Sequence, residues 1–276
     1  MTALLRASAV MACAWMVLVG AAAAQTSDRL EAFLEATGFD VALESLRLTA
    51  ESAPAMLGLE ADDFGLQWTA LVEEVFETEE MHDMAIEILS ETLDDDLLTH
   101  AVDFYMSDLG QRLVVAENAS HMHEDETLKS ESGEAIVSGL VRIGSPRVEE
   151  LKRMNAAVGS VDMTIRAIHE VQLRFLLAAS DAGVIELRME EDDLRESLLS
   201  NEGDLRRSLQ VSGLSSSAYT YQAFSDEEIS AYADALEHPK MRRVYELMNA
   251  VQWDIMANRY EQVALGLSKL RPSQEL

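Results

Sequence analysis

The chain has 276 residues, of which 50 are Asp or Glu and 21 are Lys or Arg, so its formal net charge at pH 7 is −29. Hydrophobic residues make up 48 per cent of it, which is typical of a folded protein despite the high charge. Because nucleic-acid phosphates are bound by clustered Lys and Arg, this composition excludes nucleic acid as a partner. It also argues against docking on an anionic membrane surface, which requires a basic face.

Residues 1–24 have the three parts of a secretory signal peptide. A positively charged start is followed by an apolar stretch from Val10 to Val19 and by small residues that end at Ala24. The apolar stretch is shorter than the ~20 residues that span a bilayer, so we predict cleavage near Ala24 and no membrane span in the mature chain. Cys13 is the only cysteine and leaves with this segment, so the mature chain has no thiol. A lipoprotein signal ending at Cys13 is a weaker alternative because its apolar run is short.

After this segment the sequence predicts helices throughout. Apolar residues recur at helical spacing, most regularly from Trp68 to Phe76, and no window alternates apolar and polar residues as a strand does. Ser145 followed by Pro146 predicts a helix N-cap and first helical position, and we place the junction of two degenerate halves here. We therefore predict an all-α fold of helical-hairpin repeats packed as a multi-helix bundle, with halves at residues 25–145 and 146–276.

An internal repeat is the most informative feature of the chain. Residues 93–118 align without gaps on residues 224–249, with few identities but the same order of residue types. Each copy opens with acidic, cap-forming residues, and Ser225 with Glu228 matches a capping box. An apolar stripe follows, and then a second helix start. We predict that each copy is a helical hairpin.

The joint between the two helices of each copy must end one helix and start the next at a sharp turn. The two copies meet this requirement with different residues. In the first copy, Ser107 is the predicted N-cap of the second helix. In the second copy, His238 takes the cap position and Pro239 the first helical position. We expect a structural role for the joint residues, which are Phe104, Tyr105, Ser107, Gly110, Arg112, His238, Pro239 and Arg243.

Two arginines occupy matching places in the copies. Arg112 follows Asp103 in the first copy, and Arg243 follows Asp234 in the second. We expect an ion pair that braces each hairpin, worth about 0–1 kcal/mol if it is exposed. A pair of carboxylate-binding arginines on one surface is the alternative.

Residues 104–111, with the sequence Phe-Tyr-Met-Ser-Asp-Leu-Gly-Gln, follow an acidic helix start and a stripe that contains aromatic residues. In this pattern the chain resembles an exported bacterial helical family, the domain of unknown function numbered two thousand and fifty-nine, present in two degenerate copies. The second copy has Met241 in place of Gly110, so its joint packs more loosely if glycine is needed for close helix approach. The resemblance implies an exported all-helical protein of a Gram-negative bacterium, periplasmic or secreted, and it supplies no catalytic residues.

The segment from His121 to Glu126, with two histidines, one methionine and three carboxylates, is the one stretch with the donor types of a transition-metal site. On a helix, His121 and His123 point about 200° apart, so one ion would need an irregular backbone to reach both. We predict a solvated helix end here, with no metal and no cofactor. Weak metal binding through His121, His123 and Glu124 is the alternative.

Aromatic residues also gather just before the second copy, at Tyr219, Tyr221 and Phe224. Their spacing does not place all three on one helix face, so we predict that they pack in the core. A groove for a partner peptide is the alternative.

The chain has no glycine-rich phosphate loop and no Gly-x-Ser-x-Gly elbow, and we assign no catalytic residue. We predict a non-enzymatic periplasmic module that binds or braces another envelope component, with an envelope protein as the expected partner and the oligomeric state open. The alternative is a hydrolase with a dispersed site. It requires a deep pocket that brings a carboxyl of perturbed pKa to a histidine, with His82, His100, His169 and His238 as candidates.

Overall fold

The computed structural model describes residues 27–50 and 53–270, so the predicted signal peptide lies outside the described residues. The described part is helical and contains no strand, which confirms the all-α prediction over these residues. The helices before the predicted junction are α1 (27–37), α2 (Phe39–Glu44), α3 (Leu46–Thr49), α4 (Ala53–Met56), α5 (Leu66–Val75), α6 (Thr78–Thr92), α7 (Asp95–Tyr105), α8 (Asp108–His121) and α9 (Glu126–Arg142). Those after it are α10 (Arg147–Val158), α11 (Val161–Asp181), α12 (Glu191–Leu199), α13 (Glu202–Thr220), α14 (Asp226–Glu237) and α15 (Pro239–Leu267).

The first repeat copy forms the α7–α8 hairpin, and local chemistry sets both helix starts. The Asp94 carboxylate accepts backbone N–H groups in the first turn of α7. The Ser107 hydroxyl accepts the N–H of Gly110 at 3.1 Å and so caps α8. A Cβ added to Gly110 would lie 2.3 Å from the Phe104 carbonyl oxygen, so the two helices approach each other too closely at this joint for any side chain.

The second repeat copy forms the α14–α15 hairpin with different caps. The predicted capping box is present, because Ser225 and Glu228 each accept the other's backbone N–H. His238 occupies the N-cap of α15, where its Nδ1 accepts the N–H of Lys240 at 3.3 Å, and proline follows it. Met241 is fully buried. The side chain that replaces the glycine of the first copy is therefore part of the core.

Helix α15 runs through the centre of the bundle. It packs against α5, α6, α7, α10, α11 and α14, and thirteen of its residues are buried. One of them is Arg259, which is 5% exposed and whose guanidinium donates to Glu80 at 2.7 Å and to the Val75 carbonyl at 3.1 Å. Because a buried charge is tolerated only when it is paired and hydrogen-bonded, this arrangement ties α15 to α5 and α6.

Helices from the two predicted halves pack against one another. Besides the contacts of α15, helix α9 lies along α13. A Cβ at Gly133 on α9 would lie 2.2 Å from the Ser215 carbonyl oxygen on α13, so the two backbones nearly touch. None of the described helices has the length and apolarity needed to cross a membrane.

Candidate functional site

A large cleft lies among α9, α10, α11, α13 and α15. Its volume is about 1190 Å³, compared with the roughly 300–1,000 Å³ of clefts that bind small ligands. Most of its walls come from helices after the predicted junction, and α9 supplies the remaining wall. The cleft is therefore large enough for an extended ligand rather than for a single small ring.

The floor of the cleft is open because α13 carries small residues here. Gly213 and Ser215 line it, and from α10 Ala156 does so as well. Ser215 is only 3% exposed, and the hydroxyl of the nearby Ser217 donates to the Gly213 carbonyl at 2.9 Å. The close contact at Gly133 fixes the position of α13 against α9 just beside this floor.

The cleft lining is poor in charge for so acidic a protein. Two of its 21 residues are charged, Glu134 and Lys152, whereas 26 per cent of the chain is Asp, Glu, Lys or Arg. Lys152 is already paired with Glu149 at 2.8 Å. The polar part of the lining is mainly amide and hydroxyl groups, which donate and accept hydrogen bonds without a net charge.

Two asparagine side chains in the cleft each use one amide atom, the nitrogen or the oxygen, in a hydrogen bond that holds the side chain in place. The Asn249 amide donates to the Val158 carbonyl at the end of α10 at 2.6 Å. The Asn155 oxygen is hydrogen-bonded to the Ser217 hydroxyl at 2.6 Å. The remaining amide atom of each has no partner among the described residues. Both side chains therefore bring oriented hydrogen-bonding groups to the cleft, and no rearrangement is needed to expose them.

Trp253 on α15 extends the cleft into a neighbouring space. A second cavity of about 230 Å³ shares Gly159, Thr164, Asn249 and Trp253 with the first. The indole is only partly buried and makes no hydrogen bond to a described residue. An aromatic ring between two adjoining cavities offers a flat apolar face to a ligand that occupies both.

A separate cluster of buried hydroxyl groups surrounds Glu117 on α8. Its Oε1 accepts the Tyr221 hydroxyl at 2.7 Å and the Tyr232 hydroxyl at 2.8 Å. Tyr105 is hydrogen-bonded to Tyr232 at 3.1 Å and also to Tyr245. We call these four tyrosines and Glu117 the tyrosine cluster. Its members come from both repeat copies and from the end of α13, so it joins the two hairpins.

Burial raises the pKa of Glu117 to about 7, although the hydrogen bonds from Tyr221 and Tyr232 act in the opposite direction. Burial also raises the pKa of Tyr105 and Tyr232 well above the ordinary tyrosine value, so both stay neutral. A carboxyl that titrates near neutrality is a known mark of functional sites, but structural networks produce it as well. Here its hydrogen-bonding partners are tyrosines that pack in the core, and Glu117 does not line the cleft.

The joint arginines do not form the expected pairs within each hairpin. Arg112 binds Glu228 at 2.5 Å and lies over the Phe224 ring, so it links the first copy to the start of the second. Arg243 pairs with Glu246 on its own helix instead. The expectation of matching braces is therefore wrong, because the copies pack against each other and bring Glu228 to Arg112.

The other joint residues lie in the contact between the copies or next to it. The Phe104 ring stacks on Tyr232, with centroids 5.7 Å apart and an interplanar angle of 6°. His238 stacks on His100 of α7 at 4.3 Å. Of the aromatic group before the second copy, Tyr221 belongs to the tyrosine cluster and Phe224 is 8% exposed, in agreement with core packing. Tyr219 instead meets His123 edge to face.

The stretch proposed as an alternative metal site does not form one compact set of ligands. Helix α8 ends at His121, so His123 and Glu124 lie beyond it, and Glu124 is exposed. Over residues 27–50 and 53–270, no group of three or more His, Cys, Asp or Glu side chains is placed to hold a metal ion.

The histidines of the hydrolase alternative are dispersed over the fold. His82 lies on α6, His100 on α7, His169 on α11, and His238 at the start of α15. None of them lines either of the two cavities, and none contacts Glu117 through a hydrogen bond. The structure thus brings neither a histidine nor the perturbed carboxyl into the cleft.

Residues 79–138 match the family model described as an uncharacterized protein conserved in bacteria (DUF2059). This confirms the expected resemblance over a segment that runs from α6 into α9 and contains the first repeat copy. The second copy lies outside the match. No curated protein and no solved structure matches the chain. The comparisons therefore support the family resemblance without adding an activity.

Sequence reasoning did not single out the polar residues of the cleft. One signal was present, since Asn249 is one of the few identities between the repeat copies, where it matches Asn118. The structure gives these two residues different surroundings. The Asn118 oxygen is buried without a partner among the described residues, whereas Asn249 reaches the cleft.

Proposed function

We propose that this protein is an exported, non-enzymatic binding module for another component of the bacterial envelope, and that the cleft is its binding site. Export is inferred from the signal-peptide pattern of residues 1–24. The observation that carries the binding role is the cleft itself, with oriented polar groups that have no partner within the described fold. Pockets of this kind, apolar with a few convergent polar groups, are the usual sites of ligand binding.

Two substitutions on one helix test the role of the cleft. Gly213 and Gly203 both lie on α13, but only Gly213 lines the cleft, and a Cβ at Gly203 would meet nothing within 4 Å. Phenylalanine at position 213 fills part of the cleft, whereas phenylalanine at position 203 adds the same ring to open surface. Gly213→Phe and Gly203→Phe therefore form a matched pair.

The assay is capture from detergent-solubilised envelope of the native host on immobilised protein, followed by mass spectrometry of retained proteins, glycans and lipids. Wild type and Gly203→Phe are expected to retain the same component, and Gly213→Phe is expected to lose it. Circular dichroism of each protein confirms that the helices are intact. Equal capture by all three proteins would show that the cleft is not the binding site.

A further inference from the structure

The cleft indicates the chemical class of its ligand. We propose, building on the binding role assigned to the cleft above, that it takes an uncharged oligosaccharide that lies across Trp253. Three properties of the cleft favour such a ligand: the low charge of its lining, its unbonded hydrogen-bonding groups and the position of the indole.

Charge excludes several ligand classes first. The net charge of −29 creates a negative field that opposes the approach of anionic ligands. In the cleft lining, Glu134 is the single carboxylate that a cation would meet, and Lys152 is paired with Glu149. The second cavity adds one charged residue, Arg166, and no carboxylate. A cationic ligand would therefore have a single carboxylate partner inside the cleft, although carboxylates are abundant elsewhere on the chain. A guanidinium donates hydrogen bonds to uncharged hydroxyl groups as well as to anions. An uncharged ligand fits this lining.

The free polar groups exclude a purely apolar ligand. Asn155 and Asn249 each present one unbonded amide atom, and Gln252 makes no side-chain hydrogen bond to a described residue. Covering such groups with an acyl chain would leave them without water and without a partner, at about 1–3 kcal/mol for each. A ligand with many hydroxyl groups satisfies both the donors and the acceptors of this lining.

The aromatic ring supports a sugar over a peptide. A sugar ring has an apolar C–H face that packs on a flat indole while its hydroxyl groups point to the side, and Trp253 lies between two adjoining cavities. Peptides dock on a strand edge, in an apolar helix-binding groove or on several aromatic residues. The described residues contain no strand, and Trp253 is the single aromatic residue of the cleft lining. The apolar face of a docked helix would cover the unbonded amide atoms of Asn155 and Asn249 without pairing them.

Direct binding tests the ligand class. The wild-type protein is applied to an array of uncharged oligosaccharides that includes cellotetraose, maltotetraose and chitotetraose, with tetragalacturonate as the anionic control and neutral tetrapeptides as the peptide control. Calorimetry then measures the dissociation constant of the best probe. We expect saturable binding of at least one uncharged oligosaccharide and none of tetragalacturonate or the peptides.

Variants test whether binding occurs at the predicted place. Trp253→Ala is expected to weaken binding at least tenfold, and Trp253→Phe less, because a smaller apolar ring remains. Gln252→Ala is expected to weaken it about three- to tenfold through the loss of one hydrogen bond. Gln172→Ala is the control, since this glutamine is partly buried on α11 but does not line either cavity. It should bind as wild type does.

Different results would contradict the proposed ligand class and the proposed binding role of the cleft. If no uncharged oligosaccharide binds, or if Trp253→Ala and Gln252→Ala bind as tightly as wild type, the ligand class is wrong. If no uncharged oligosaccharide binds but Gly213→Phe fails to retain a protein or peptide that wild type retains from the envelope extract, the cleft is a binding site for a ligand of another chemical class. If no uncharged oligosaccharide binds and Gly213→Phe also retains the same envelope components as wild type, both proposals are wrong.

Discussion

Replacement of Glu117 by glutamine is expected to remove a pH-dependent destabilisation of the fold. Glutamine has nearly the same shape as glutamate, and its oxygen still accepts the hydroxyl groups of Tyr221 and Tyr232, which lie 2.7 and 2.8 Å from the carboxylate oxygen. What changes is the charge. The variant therefore isolates the free-energy cost of an ionised carboxylate inside the tyrosine cluster.

The size of the stability difference between Glu117→Gln and wild type follows from the pKa of Glu117. Burial raises the pKa of Glu117 from its ordinary value of 4.5 to about 7, so between these pH values the folded protein holds a proton that the unfolded chain has lost. Stability falls with rising pH wherever the folded state binds more protons. The stabilising contribution is thus complete below pH 4.5 and is lost as the pH rises through 7. At about 1.36 kcal/mol for each pH unit, the full loss is about 3 kcal/mol. Because Glu117 is partly exposed, water reduces the expected loss to about 1–3 kcal/mol.

Urea unfolding followed by circular dichroism, at several pH values from 4.5 to 8.5, measures this effect. We expect Glu117→Gln and wild type to have similar free energies of unfolding at pH 4.5, and the variant to be more stable by about 1–3 kcal/mol above pH 8. Glu131→Gln is the control because Glu131 is exposed and has no side-chain partner among the described residues. This control corrects for the loss of one negative charge from a chain of net charge −29.

Two results would refute this reasoning. If the difference in unfolding free energy between Glu117→Gln and wild type does not change with pH, the pKa of Glu117 in the folded protein is not raised above its value in the unfolded chain. If the variant is less stable than wild type at pH 8, the ionised carboxylate stabilises the cluster through the tyrosine hydroxyl groups more than burial destabilises it.

Three further substitutions, Gly110→Ala, Arg147→Met and Arg112→Ala, test packing within the repeat copies or against them by urea unfolding against wild type, with Gly139→Ala as the control for the first. Gly110→Ala is expected to destabilise by about 1–3 kcal/mol, because its Cβ would lie 2.3 Å from a backbone oxygen. Gly139→Ala, with open space at the Cβ position, should instead stabilise by about 0.5–1 kcal/mol, and equal effects would contradict the close approach at the joint. Arg147→Met is expected to destabilise strongly, by about 1–3 kcal/mol for each buried carbonyl left unpaired, because this 9% exposed arginine donates to the carbonyls of Tyr221 and Phe224. Arg112→Ala should destabilise by no more than about 1 kcal/mol, and by less at high salt, since the Arg112 side chain is more than half exposed where it pairs with Glu228. A larger loss of stability that salt does not change would contradict this.

The local parts of the fold could be predicted from the sequence. The capping box at Ser225 and Glu228, the N-cap at Ser107 and the helix start at Pro239 all depend on groups within about four residues of each other along the chain. The same is true of the apolar stripes that define the helices. These features can be predicted from the sequence because the groups that form each hydrogen bond or contact lie close together along the chain, whatever the tertiary structure.

The ion-pair partner of Arg112, in contrast, could not be predicted from neighbouring residues in the sequence. Asp103 is its predicted partner because it precedes Arg112 in the same hairpin, and the structure instead supplies Glu228 from the other copy. Nothing near Arg112 in the sequence distinguishes the two carboxylates. Which of them lies within reach depends on how the hairpins face each other, and that depends on packing across more than a hundred residues of chain.

The two sites of interest arise in the same way. Glu117 meets Tyr221 and Tyr232 only because α8, α13 and α14 converge, and the cleft exists only where small residues of α13 face α10 and α15. The sequence by itself determined the helices, their ends and the acidic character of the chain, since these depend on composition and on short-range contacts. The tertiary structure alone decided which carboxyl is buried, which amides stay unpaired and where the cleft opens, because those properties depend on which distant side chains exclude water from one another.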